Sequence, residues 1–452
     1  MEAVQKISNS STQLSNGNTT TALISMEPQK MSVVKENMAI EEKILESDAK
    51  SRAFNFSRYP RRRIALMFLY YGWEFDGLVI QSNTNNTVEE VIFNTLIKTK
   101  LIESRDSCRW TRCGRTDKGV SAFHQVAALN VRSTDTSAEG IWWAEEGDLE
   151  TRITSDKEME FLKILNGNLP RSIKAIAWSP LKNVEFSPRH DCIERTYKYF
   201  MPAPNLNIEA ITEAANLLKG SHDFRNFCKI DDNEARLKMS YIRSIYDVQL
   251  NHLKSTSQAH SSTDSQFDLL EITIRGSGFL WHQIRCIVSL LYEIGRGNDK
   301  PEVISELFDI EKYPGRPAYD MAAETPLCLF DCNFKEDFDL DWKYDVDALI
   351  QTIGHLQMSW TEFQTKAAII RSMIEGLSPI IAEKSPENFP FYGGFHKFML
   401  GQGTTKIHAK SRPYVPILKR KACESLETRR RKKGLKIDKL DSPTVNENMD
   451  EE

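Results

Sequence analysis

The feature that most constrains this chain is the run "IALMFLYY", residues 64–71, which follows Arg61, Arg62 and Arg63 directly. Eight consecutive apolar or aromatic residues are far short of the roughly 18 that a membrane helix needs. They are rich in β-friendly side chains and lack the polar positions of a surface strand. The run therefore predicts a buried strand that opens a folded domain. No other apolar run reaches membrane length. With 40% apolar and 27% charged residues in 452, the chain reads as a soluble protein with one large or two ordinary domains.

The pattern on either side sets the organisation. Residues 1–57 are rich in Ser, Thr, Asn and Lys and lack early hydrophobic periodicity, so a disordered N-terminal tail is expected there. Residues 58–188 read as the first half of a catalytic domain. "TVEEVIFNTLIKTK" carries Thr87 and Glu90 in capping-box spacing, with Val88, Val91, Ile92 and Leu96 on one helical face. "HQVAALNVRS" reads as a strand, 133–150 as a polar, acidic insertion, and "EMEFLKILNGNLP" as a helix closed by Gly167 and Pro170.

Residues 189–338 repeat this grammar. "ERTYKYFM" places Tyr197, Tyr199 and Met201 on one strand face. "NIEAITEAANLLKG" is a helix, "SYIRSIYDVQLNHL" and "DLLEITIRG" are strands, residues 279–294 are an amphipathic helix, and "TPLCLFDCNF" is a last strand. The fold class is thus α+β, two similar halves with helices packed on sheets. Residues 339–452 read as helical, then basic and irregular, ending in disorder.

Net charge is −4, with bases gathered in "RYPRRR", "ILKRK" and "RRRKK" and acids elsewhere. Local basic patches, rather than net charge, decide phosphate binding. The start carries Glu2 and no long apolar segment, which argues against a secretory signal and for an intracellular protein. "RRRKK" reads equally as a nuclear-import patch or an RNA-contacting tail; nucleus and cytoplasm are the expected locations. The eight cysteines include no C-x-x-C pair and no nearby His framework, so they read as reduced, packed thiols without a metal.

The chemistry is concentrated in "RCGRTDKGVSAFHQ", residues 112–125. Asp117 stands between Arg115 and Lys118, in a segment punctuated by Gly114 and Gly119. Flanking cations favour an ionised carboxylate. The segment is either a charged hairpin turn or a loop carrying a nucleophile, placed between a helix and a strand where a scaffold presents reactive groups.

This segment resembles the active-site segment of the TruA family of tRNA pseudouridine synthases. "YYGWEFDGLVIQSNTNNTVEE", "RTYKYF", "GSHDFRNFC", "GFLWHQIRCIV" and "PLCLFDCNF" match that family in order, over roughly residues 63–335. The wording of "RCGRTDKGVSAF" and "NTNNT", with "CESLE" at 423–427, is similar to the eukaryotic branch that modifies uridines 38 and 39 of the anticodon stem. The resemblance implies that the mostly antiparallel sheets of the two halves join into one extended sheet. It implies Asp117 as the nucleophile on the target uridine and Arg115 as the arginine that helps extrude the nucleotide. Tyr197 would stack on the base, Arg285 would pair with the catalytic carboxylate, and Leu327 would pack beside the base. It implies tRNA as partner, no cofactor or metal, and, from bacterial members, a homodimer. Chemistry inside a stem requires the uridine to be flipped out, at a cost of about a few kcal/mol. A non-catalytic tRNA-binding or chaperone protein of the same fold is the alternative. "SHDF" reads either as a backbone contact to RNA through His222 and Asp223 or as an ordinary turn.

Overall fold

The computed structural model describes residues 54–143, 149–182, 185–255, 265–390, 392–400 and 414–435. The expected N-terminal tail, apart from its last residues, lies outside the described residues, as do residues 144–148 of the acidic insertion and the acidic C-terminal end. In chain order, β1 (Arg61–Tyr70), α1 (Val88–Lys98), β2 (Thr111–Arg112), β3 (Ser121–Arg132), β4 (Ile141–Trp142), α2 (Phe161–Asn166) and β5 (Ile173–Pro180) come first. They are followed by β6 (Cys192–Pro202), α3 (Ile208–Leu217), β7 (Gly220–Asp223), α4 (Glu234–Lys238), β8 (Ile242–Leu253), β9 (Leu269–Gly276), α5 (Gln283–Gly295), α6 (Val303–Phe308) and β10 (Leu327–Phe334). Helices α7 (Val346–Lys384), α8 (Gly393–Leu400) and α9 (Leu426–Lys432) complete the order.

The apolar run forms β1, in which every residue after Arg61 is buried. One of its edges pairs with β3, the other with β4 and β5, all antiparallel. The strands form one ten-stranded sheet in the order β4-β1-β3-β10-β6-β9-β8-β7, with β2 also on β3 and β5 also on β1. The α+β class and the single extended, mostly antiparallel sheet are as expected. Strand β10 makes the join. It runs parallel to β3, with Cys328 opposite Ser121 and Leu329 opposite Ala122. On its other edge it runs antiparallel to β6, with Leu327 opposite Tyr199 and Leu329 opposite Tyr197.

One hydrophobic cluster gathers β1, β3 and β5 with α1, α2 and the start of α7; a second gathers β6, β8 and β9 with α3, α5 and α6. Tyr197 packs against both. Thr87 caps α1 by accepting the Glu90 N–H at 3.3 Å, an interaction worth about 1 kcal/mol. The Glu90 carboxylate does not return to the cap; it is taken by Arg105 and Asn94. Tyr199 and Met201 are fully buried on the β6 face predicted for them.

Two readings change. The helix expected over 279–294 begins only at Gln283, because His282 takes a left-handed conformation at φ 63° and turns the chain before it. Its apolar stripe is also not one face: nearly all of α5 is buried, with Arg285 the half-buried exception. Helix α3 lies so close that a Cβ on Gly295 would come within 2.5 Å of Ile211. Segment 320–322 closes another side, where Ser289 donates to the Asp320 carbonyl and the Ala322 N–H donates to the Arg285 carbonyl. The second change is at the C-terminus. The "RRRKK" run, read as part of an irregular end, forms most of α9, capped by Ser425. The SHDF segment is mostly strand rather than a turn: Ser221, His222 and Asp223 pair with β8, His222 bonds the Lys219 carbonyl and stacks on Phe308, and Asp223 pairs with Arg225.

Gly72 shows how tightly β1 meets the loop that precedes β3. A Cβ there would lie 2.1 Å from the Val120 carbonyl oxygen, and the Gly72 N–H donates to Ser121 Oγ. Gly72→Ala should destabilise by about 1–3 kcal/mol through overpacking, read as a lower urea midpoint; an unchanged midpoint would show that the 118–120 backbone moves aside without cost.

Candidate active site

Asp117 lies in the loop of a hairpin. The sequence reading placed it between a helix and a strand, but the two-residue β2 intervenes and pairs with β3, Thr111 opposite Ala128 and Arg112 opposite Ala127. Such short pairing has no hydrophobic pattern of its own. The loop is pinned from several sides. The buried Gln125 side chain accepts from the Gly114 N–H at 3.3 Å and donates to its carbonyl at 3.1 Å. Thr116 Oγ1 and Tyr70 Oη are 2.7 Å apart in the core. Burial pushes the Tyr70 pKa well up, so the phenol is neutral. Segment 72–78, the "GWEFDGL" of the sequence, forms a brace. The Gly119 N–H donates to the Phe75 carbonyl, and the Leu78 N–H donates to the Thr116 carbonyl. Gly77, at φ +115°, passes so close that its Cβ would lie 3.2 Å from the Thr116 oxygen. Buried Glu89, in the first turn of α1, holds Arg112 by accepting from its Nε and Nη2 and accepts from the Trp110 indole at 2.8 Å.

The carboxylate's charge partners are not its sequence neighbours. Lys118 Nζ is 2.7 Å from Asp76, and exposed Arg115 makes no hydrogen bond among the described residues. Asp117 Oδ2 instead lies 3.1 Å from His282 Nε2. Burial alone would raise the Asp117 pKa. The hydrogen bond and charge of His282, the charge of Arg285 and a hydrogen bond from Trp281 outweigh it, and the carboxyl titrates below its ordinary value. It is therefore ionised at neutral pH with its side chain still 35% exposed.

Arg285 was expected to pair with this carboxylate. Its contacts are with Glu324, at 2.8 Å, and the Ala322 carbonyl, at 2.7 Å, so it acts on Asp117 at longer range while His282 makes the direct contact. The left-handed turn at His282 is the reason: it brings residue 282 to the loop and lets the first turn of α5 present Arg285 to residues 322–324. Tyr197, Leu329 and Ala122 form one row across the sheet, at the end of β3 from which the Asp117 loop departs. The Tyr197 ring meets Phe279 edge to face at 5.2 Å, and burial pushes its phenol pKa well up. Leu327, the first residue of β10, is buried next to that row. Arg115 lies on the rim. Partial burial and then the charges of Arg112, Arg189 and Arg236 lower its pKa, the mark of a local concentration of cations.

The sequence reading missed three residues of this neighbourhood. His282 was within reach, since it lies in the quoted segment "GFLWHQIR". Phe279 lies in the same segment. Glu324 has no local signal, because only the fold brings it to Arg285. Arg236 of α4 sits 4.8 Å over the Trp281 ring, and Trp281 packs on His282 at 4.4 Å. Helix α9 holds α4 in turn, with Arg430 donating to the Leu237 carbonyl at 2.7 Å and Arg429 pairing with Asp232. Asp117 belongs to no group of metal-ligating side chains among the described residues; the three thiols that do form one, Cys113, Cys192 and Cys332, lie behind its loop.

An ionised carboxylate on a braced loop, a neutral aromatic on the adjoining sheet and a rim of arginines together make a site suited to chemistry on a nucleotide. Residues 214–335 match the family model described as tRNA pseudouridine synthase. The chain is 42% identical over 392 residues to the probable tRNA pseudouridine synthase tag-124 of Caenorhabditis elegans, covering 85% of this chain and 92% of that one. It is 38% identical over 403 residues to the human tRNA pseudouridine(38/39) synthase, covering 87% and 81%, and 38% identical over 312 residues to the Saccharomyces cerevisiae tRNA pseudouridine(38/39) synthase, covering 67% and 64%. The chain belongs to the tRNA pseudouridine synthase family, whose members are isomerases. No helix among the described residues is long and apolar enough to cross a membrane.

Removing the imidazole should leave the burial of Asp117 and take away its main counterweight. His282→Gln is therefore expected to raise the Asp117 pKa, seen as a carboxyl carbon resonance titrating at higher pH than in the wild type and identified by its absence in Asp117→Asn. An unshifted titration would assign the ionised state to Arg285 and Trp281.

Proposed function

We propose that this protein isomerises uridine to pseudouridine in tRNA, at positions 38 and 39 of the anticodon stem-loop, with Asp117 as nucleophile. The observation that carries the reading is the Asp117 carboxylate, kept ionised by His282 and Arg285 on a loop braced from four directions. A carboxylate nucleophile must be ionised and held in place before it meets its target. Asp117 attacks the ribose C1′ of the target uridine and displaces N1; the freed base rotates, carbon 5 bonds to C1′ and displaces the Asp117 carboxylate, carbon 5 gives up its proton and N1 takes one up. Atoms balance within the nucleotide, and no electrons are exchanged with a second molecule.

The other residues take roles that suit their positions. Arg115, exposed on the rim with Arg112, Arg189 and Arg236 near it, serves extrusion of the nucleotide and neutralises phosphate charge. Tyr197, neutral and partly accessible, offers a face on which the base stacks, a contact worth about 1–3 kcal/mol. Leu327 packs beside the base, and Arg285 supports the carboxylate electrostatically. The rival, a tRNA binder without turnover, has no use for an ionised carboxylate beside a stacking ring. Release of tritium from carbon 5 of labelled tRNA separates the two. Wild type should release it, and Asp117→Asn should release none while binding tRNA within a few-fold of wild type. Binding without release by the wild type would establish the rival.

The homodimer belongs to the same reading, and α7 supports it. Val346, Ile353, Trp360, Ala367, Ile374 and Ile381 recur every seven residues, interleaved with Leu349, Leu356, Phe363, Ile370 and Leu377. Beyond Leu356 this spacing suits the seam of a two-helix coiled coil. Its first turns pack on the sheet through Leu349 and Leu356, whereas Ile370 is 58% and Leu377 61% exposed. A second copy of α7 supplies a matching seam. Light scattering should give twice the chain mass for wild type and the single mass for Ile370→Glu/Leu377→Glu; a monomeric wild type would remove the dimer from the proposal.

A further inference from the structure

Behind the Asp117 loop lies a second cluster that the proposed reaction does not use. Cys113 follows β2, Cys192 opens β6 and Cys332 lies in β10. All three are buried, and their sulfur atoms all lie within 4.8 Å of one another. Register explains the meeting. Residues 192–195 of β6 run opposite residues 332–334 of β10, and the Cys113 N–H is tied to the Val126 carbonyl of β3 at 2.8 Å. Cys108, Cys228 and Cys286 are equally buried, yet none belongs to such a group among the described residues.

We propose that Cys113, Cys192 and Cys332 form a three-thiolate site for one thiophilic d10 metal ion, Zn2+ or Cu+. Bonds of about 2.3 Å from one ion to three sulfurs put those sulfurs about 4 Å apart, inside the 4.8 Å that bounds the spacing present. Soft thiolates in an all-sulfur set select ions of this class over Mg2+ or Ca2+. Binding displaces three thiol protons to solvent and ends the contact of Cys192 Sγ with the Glu194 carbonyl, 3.3 Å away. Three thiolates leave the complex with net charge −1 for Zn2+ and −2 for Cu+, and a cation is already in place beside it. The Arg195 guanidinium donates to the Cys113 and Arg189 carbonyls, each at 3.1 Å, and to the Ser277 carbonyl at 3.3 Å. The ion would clasp the start of the Asp117 loop to β6 and β10, so that one bond set ties both halves of the sheet together. This inference does not depend on the reaction proposed for Asp117.

The test uses the full-length reduced chain, stripped with a chelator under nitrogen and dialysed separately against Zn2+ and Cu+. One ion per chain is expected with at least one of the two metals, and which arm loads identifies the ion. Loading should raise the melting temperature, because an ion that binds only the folded state stabilises it. Cys192→Ser and Cys332→Ser should each weaken retention at least tenfold, with the exposed-thiol variant Cys423→Ser unchanged. Because a serine in the core can disturb folding, X-ray absorption on the loaded wild type provides a second readout: three sulfur neighbours around the ion. Failure to load either ion, an oxygen or nitrogen shell around it, or a disulfide joining two of these residues in freshly purified protein would overturn the proposal.

Discussion

The placement of β10 between β3 and β6 is the constraint on which the rest of the structure depends. Its parallel pairing with β3 extends only over Cys328 and Leu329, yet it turns two sheets into one. Without it, Tyr197 and the Asp117 loop would belong to separate edges. With it, the row Ala122, Leu329, Tyr197 crosses the sheet next to the loop. The contact of His124 with Asp331, at 2.9 Å, follows from the same insertion, and so does the meeting of Cys332 with Cys113. A parallel strand needs a long connection, and here most of the second half of the chain supplies it.

The electrostatics of the site rest on contacts made by distant residues. Lys118, beside Asp117 in sequence, serves Asp76 and the brace, while Arg115 stands on the rim. The group that opposes the desolvation of Asp117 most directly is His282, held in a left-handed turn by the start of α5. This division lets one short loop carry a carboxylate held below its ordinary pKa and, on the same turn, an exposed arginine with no hydrogen bond among the described residues.

The C-terminal extension contributes to the same region. Arg430 and Arg429 of α9 anchor α4, α4 places Arg236 over Trp281, and Trp281 packs on His282. Part of a basic run that reads in isolation as a solvated tail is thus consumed by structural contacts. A run of like charges has no fixed meaning until its neighbours are known.

Several features were determined by the sequence alone because they depend on neighbours within a few residues. The apolar run predicts β1, Thr87 caps α1, the alternation in β6 buries Tyr199 and Met201, and the α+β class follows from their order. The order of motifs was also enough to place the chain in its family. Tertiary structure alone decided which groups touch. It set Glu324 against Arg285, His282 against Asp117, and three thiols with no shared spacing motif within 4.8 Å of one another. The physical reason is that capping and periodicity are properties of contiguous backbone. Charge pairing and thiol convergence depend instead on strand order and register, and local sequence does not encode the distance between residues brought together by a strand inserted late in the chain.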